Sequence, residues 1–142
     1  MLSLSLPKVA ASTDELFAGV HQFVQAESVD DDTAFQLTVA AEELFTNLVK
    51  YSRRSSRPAE IQFSREGEWI EMRITDFDAD EFDITTAELP DLEVPIAERR
   101  AGGMGLHLVR SFADTLSYSH EQGNNVIIFR KKMERPNVHD SA

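Results

Sequence analysis

Between Ile61 and Asp76 apolar residues fall on alternate positions, Ile61 and Phe63 before a Glu66-Gly67-Glu68 turn and Ile70, Met72 and Ile74 after it. A period of two sends successive side chains to opposite faces of a strand, so this stretch predicts an antiparallel hairpin with one apolar face. Leu2, Leu4 and Leu6 repeat the alternation before Pro7 and predict a strand at the start of the chain. Leu116 to His120 and Val126 to Arg130 flank a turn at residues 121–125, which predicts a closing hairpin.

Other segments carry a helical period. After Ser12-Thr-Asp-Glu15, whose hydroxyl and carboxylate groups suit the free amides of a helix start, Leu16, Val20, Phe23 and Val24 predict a helix over Thr13 to Ala26. Asp30, Asp31 and Asp32 place acid where a helix amino end is electropositive, and Phe35, Val39, Leu44, Leu48 and Tyr51 continue an apolar face to about Tyr51. The polar, basic run Ser52-Arg-Arg-Ser-Ser-Arg57-Pro58 then reads as a solvated loop, since proline cannot continue a helix. Leu106, Val109, Phe112, Ala113 and Leu116 predict a further helix. From Phe77 to Arg100 periodicity dissolves among acidic residues with Pro90 and Pro95, which reads as a lid or irregular excursion. Strands grouped in hairpins and set apart from most helices predict an α+β two-layer sandwich, a mixed, mostly antiparallel sheet with helices on one face.

At 142 residues the chain fits a single domain spanning 1–142. A net charge of -11, from 14 basic and 25 acidic residues, opposes the phosphate backbone and argues against direct binding of nucleic acid. With no cysteine, disulfides, thiolate metal sites and thiol nucleophiles are excluded together. His21, His107, His120 and His139 show no metal-ligand spacing. The start lacks a signal-peptide pattern and no apolar run approaches the ~18 residues of a membrane span, so a cytoplasmic location and no membrane partner are expected.

Three short segments carry chemistry. Glu43 and Asn47 are four residues apart and share one helix face. A carboxylate there can accept a proton from an attacking hydroxyl, and an amide oxygen can complete the coordination of Mg²⁺ on a polyphosphate. The spacing alone favours an exposed polar pair, since helix faces carry many such pairs. Asp76, at a strand end, can accept from the exocyclic amine of adenine, or it is an ordinary acid ending a strand. Gly102, Gly103 and Gly105 bring backbone without Cβ to a helix start, where amides can approach phosphate, though glycines there also serve as punctuation. Arg99 and Arg100 precede them and suit either phosphate or solvent.

In this order the segments resemble those of the GHKL (Bergerat-type) ATPases, specifically the small anti-sigma-factor serine kinases of the RsbW and SpoIIAB type. Glu43-Leu-Phe-Thr-Asn47 is similar to that family's first box, Ile74-Thr-Asp76 to its adenine-reading strand end, and Gly102-Gly-Met-Gly-Leu-His-Leu-Val-Arg110 to its glycine-rich box. The resemblance implies the Bergerat ATP-binding fold, Glu43 as general base, Asn47 as Mg²⁺ ligand, Asp76 as adenine contact, and Gly102, Gly103 and Gly105 with Arg100 at the phosphates. The cofactors it implies are ATP and Mg²⁺. It further implies a serine on an anti-anti-sigma (STAS-type) protein as substrate, a sigma factor as second partner, transcription regulation by partner switching, and a homodimer. The family places glycines two and four positions after its adenine-reading acid, where this chain has Asp78 and Asp80. That departure supports a competing expectation, a non-catalytic partner-binding switch with weak or no ATP binding.

Overall fold

The computed structural model describes residues 1–85 and 105–133. In chain order these form β1 (Leu2–Leu6), α1 (Thr13–Ala26), α2 (Asp31–Tyr51), β2 (Ala59–Glu66), β3 (Trp69–Asp76), a helix α3 described over residues 105–112, β4 (Thr115–Glu121) and β5 (Asn124–Lys132). One five-stranded sheet runs in the order β1-β2-β3-β5-β4, and every described pairing is antiparallel. The fold is the expected α+β sandwich.

The alternation sets the inward face. Ile61 and Phe63 of β2, Ile70, Met72 and Ile74 of β3, and Ile127 and Phe129 of β5 are buried, while their neighbours in sequence are more open. The register places Phe63 opposite Met72, Met72 opposite Phe129 and Ile74 opposite Ile127, so the apolar residues line up as rungs across three strands. Leu16, Val20 and Phe23 of α1 and Leu37, Leu44, Phe45 and Leu48 of α2 join the same core, with the Phe23 and Phe63 rings 5.6 Å apart. The opposite face is polar, with Glu71, Arg73 and Arg130 among its residues, as suits an antiparallel sheet with one solvated side. No described helix is long and apolar enough to cross a membrane.

Two local expectations need correction. Ser12 does not cap α1 with its side chain. It sits in a short 3₁₀ turn, Ala10–Ser12, that runs directly into the helix, and its hydroxyl donates to the Pro7 carbonyl at 2.7 Å. Asp30 does cap α2, accepting from the Thr33 amide at 3.0 Å. The last helix ends earlier than its apolar spacing suggests: helical geometry stops at residue 112, and Leu116 belongs to β4. The amide of Asp114 donates to the Arg130 carbonyl and its carboxylate accepts from the Lys132 amide, so pairing with β5 overrides the helical period there.

Candidate nucleotide-binding site

α2 carries the first motif. Its buried stripe runs through Leu37, Ala40, Ala41, Leu44 and Leu48, and Asn47 falls inside that stripe with only 2% of its surface exposed. The Asn47 Nδ2 is buried without a hydrogen-bond partner among the described residues. A half-turn of a terminal amide exchanges its oxygen and nitrogen, so the position offers an unfilled polar valence to whatever ligand approaches. One turn earlier, Glu43 is partly buried. Burial lifts its carboxyl above the ordinary value of 4.5, with Lys50 opposing the shift and Glu42 adding to it.

Gly105, in α3, packs directly on Glu43: a Cβ at position 105 would collide with all three atoms of the Glu43 carboxylate. The two residues are far apart in sequence, and the absence of a side chain at 105 is what lets them meet. Gly102, Gly103, Arg99 and Arg100 lie outside the described residues.

β3 ends at Asp76. It continues the inward phase of Ile70, Met72 and Ile74, so the alternation itself delivers a carboxylate, 1% exposed, to the end of the core. The Lys8 ammonium, just after β1, donates to Asp76 Oδ1 at 2.8 Å and to Ser52 Oγ at 3.2 Å. The Ser52 hydroxyl, at the carboxyl end of α2, donates to Asp76 Oδ2. The lysine and aspartate side chains are 5% and 2% exposed. Asp76, Ser52, Leu48, Ile84 and Ile127 border a cavity of about 220 Å³ whose wall also includes Asn125. Asn125 lies opposite Asp76 in the β3–β5 register; its Oδ1 accepts from the Tyr118 hydroxyl at 2.7 Å and its Nδ2 donates to the Asp80 carbonyl at 2.8 Å.

The acidic residues after Asp76 are arranged, not merely present. Asp78 adopts φ 50°, a left-handed conformation that favours glycine and that aspartate tolerates better than most residues. The backbone form at this position is therefore one that glycine would also take. Its amide donates to Asn124 Oδ1 at 3.0 Å, and the amide of Ala79 to the Gly123 carbonyl at 2.9 Å, which ties the loop to the β4–β5 turn. The carboxylates of Asp78 and Asp80 are exposed and turn to Arg54, at 3.5 and 3.1 Å.

The described structure thus brings Glu43, Asn47 and Gly105 to one part of α2 and Asp76 to its carboxyl end. Sequence reasoning missed Lys8, Ser52 and Asn125. Asn125 shares the inward phase of Ile127 and Phe129 and was legible on that ground, whereas nothing local marks Lys8 or Ser52.

The two-layer sandwich, with Glu43 and Asn47 on α2, Gly105 on α3 and Asp76 ending β3, is that of an ATPase-like domain. The family model of the histidine kinase-like ATPase domain, HATPase_c_2, matches residues 6–131, and the chain belongs to that family. Serine/threonine-protein kinase BtrW of Bordetella bronchiseptica is 34% identical over 96 residues, which cover 64% of this chain and 65% of that relative. Among solved structures, the RsbU and RsbW domains of Rv1364c from Mycobacterium tuberculosis align with a TM-score of 0.69 and 12% identity over 95% of this chain and 33% of that one. The SiaB–SiaC complex from Pseudomonas aeruginosa aligns with a TM-score of 0.60 and 15% identity over 92% of this chain and 88% of that one. At these identities the structural likenesses show the fold alone.

Proposed function

We propose that the protein is an ATP-dependent serine protein kinase and anti-sigma factor that phosphorylates an anti-anti-sigma protein in a partner-switching system. The observation that carries the reading is the contact of Glu43 with Gly105 one helical turn from a buried Asn47 amide with an unfilled valence. Phosphoryl transfer asks mostly for positioning and charge neutralisation, so few reactive side chains suffice.

Each residue then has a role. Asp76 accepts from the exocyclic amine of adenine while the apolar wall of Leu48, Ile84 and Ile127 takes the ring. Asn47 would hold Mg²⁺, which when bound would neutralise phosphate charge. Glu43 receives the proton of the attacking serine hydroxyl, and its burial raises its basicity toward that task. Gly105, with Gly102, Gly103 and Arg100, belongs to the phosphate end. The sigma factor is the alternative partner, and a homodimer and a cytoplasmic location belong to the same reading.

Asp78 and Asp80 were the ground for a non-catalytic module. Both carboxylates are exposed and paired with Arg54, which with Asp80 lines the same cavity as Asp76, so the added acid is met by a cation at the cavity wall.

The test is incubation of the purified chain with γ-labelled ATP, Mg²⁺ and candidate STAS-type proteins, read by mass spectrometry for phosphoserine. Phosphoserine on one partner, lost with Glu43→Gln, is the expected result. A stable complex with a STAS-type protein that never acquires phosphate would overturn the kinase reading.

A further inference from the structure

A lysine is a costly residue to bury, and the Lys8 side chain is buried beside Asp76, the one buried acidic residue among the described residues. Its ammonium and the Ser52 hydroxyl engage different oxygens of Asp76, Oδ1 and Oδ2, and are themselves 3.2 Å apart. Three elements distant in sequence, the segment after β1, the carboxyl end of α2 and the tip of β3, are therefore pinned at one carboxylate. The cavity wall includes Asp76 and Ser52 but not Lys8. The lysine stands behind the acid, on the side a ligand does not reach.

The geometry points to Lys8 as the residue that positions Asp76 for reading a purine amine, with Ser52 as its auxiliary. The inference rests on the proposed function, in which Asp76 contacts adenine. Two bonds fix the plane of the carboxylate, and each oxygen keeps a lone pair for a donor from the cavity. The cation matters for a second reason. Asp76, Asp78, Asp80, Glu81 and Asp83 fall within eight residues, and those at 78 and 80 are met by Arg54. Asp76 is met by a buried cation, Lys8, at 2.8 Å, whereas Arg54 pairs with Asp78 and Asp80 instead. Held so, Asp76 offers acceptors alone, which favours a base edge bearing N–H and disfavours a carbonyl. Without Lys8 the carboxylate loses both its anchor and its counter-charge, and the discrimination goes with them.

A ligand pair that differs only at the amine isolates this role from a purely structural one. Calorimetric titration of the full chain with Mg²⁺ and either ATP or purine riboside triphosphate, which lacks the 6-amino group, is run on wild type, Lys8→Met and Ser52→Ala, each checked for a cooperative thermal transition. The expected result is that wild type prefers ATP by about tenfold or more, that Lys8→Met abolishes the preference by weakening ATP and not the analogue, and that Ser52→Ala reduces it partially. Equal affinity of wild type for the two nucleotides would overturn the adenine role of Asp76 itself. An intact preference in folded Lys8→Met would overturn the positioning role while leaving Asp76 in place. Should Lys8→Met not fold, an unreduced preference in Ser52→Ala overturns the inference.

Discussion

The two halves of the proposed site, around Asp76 and around Glu43 and Asn47, are built on opposite principles. Around Asp76 each carboxylate oxygen already has a protein donor: Lys8 and Ser52 bind it, and its register partner Asn125 is held by Tyr118 and by the Asp80 carbonyl. At the phosphate end Asn47 keeps a buried nitrogen without a partner and Glu43 keeps a partly buried carboxylate pushed toward its neutral form. The first arrangement stabilises the fold and presents a fixed surface. The second costs stability until a ligand arrives, which is where native proteins tolerate local inconsistency. On the proposed function both arrangements are forms of preorganisation, one made with bonds present and one with bonds withheld.

Variants that move only one of activity and stability sharpen this contrast. The largest effect is expected from Glu43→Gln, which should lower phosphoryl transfer by roughly 10²- to 10⁴-fold while leaving ATP binding within a few-fold. Equal loss of binding in that variant would dissolve the distinction between the two ends. Next, Lys8→Met should destabilise the apo protein by about 3 kcal/mol, measured by denaturant unfolding, because it leaves a buried carboxylate unpaired. Asn47→Ala, by contrast, should leave apo stability within about 1 kcal/mol of wild type, since it removes a polar group that already lacks a partner. Its loss should appear only in Mg²⁺-dependent nucleotide affinity. If the two variants cost the same stability, the ends do not differ as described.

Acid dependence gives a smaller signal. The folded chain holds the Glu43 proton more tightly than the unfolded chain does, so stability falls as pH rises from the ordinary value of 4.5 through the raised one. Glu43→Gln should flatten that part of the profile and stabilise the protein at neutral pH by no more than about 1 kcal/mol, a partly exposed site being screened. The smallest effect belongs to Arg54→Ala. Its ion pairs with Asp78 and Asp80 are more than half exposed, so the thermal midpoint should not move. Nucleotide affinity should change no more than about twofold, and less at high salt.

Much of this was legible in the chain. Period-two alternation over Ile61 to Asp76 fixed both the hairpin and the inward direction of Asp76, and the stripe of α2 took Asn47 into the core with Leu44 and Leu48. The helix start at Ser12 to Glu15 was legible though the Ser12 hydroxyl turns to Pro7, and of the two periods that met at Leu116 the strand prevailed, because pairing with β5 outweighed local helical spacing.

Periodicity is a local signal, so the sequence alone determined which elements form, which faces turn inward and which motif residues those faces carry. Only tertiary structure decided that Lys8 meets Asp76 across 68 positions, that Gly105 closes on Glu43, and that Arg54 answers Asp78 and Asp80. Such pairings depend on the closure of the sheet and the seating of helices upon it. Which side chains then meet is set by which strands and helices end side by side, which no residue's sequence neighbours can specify.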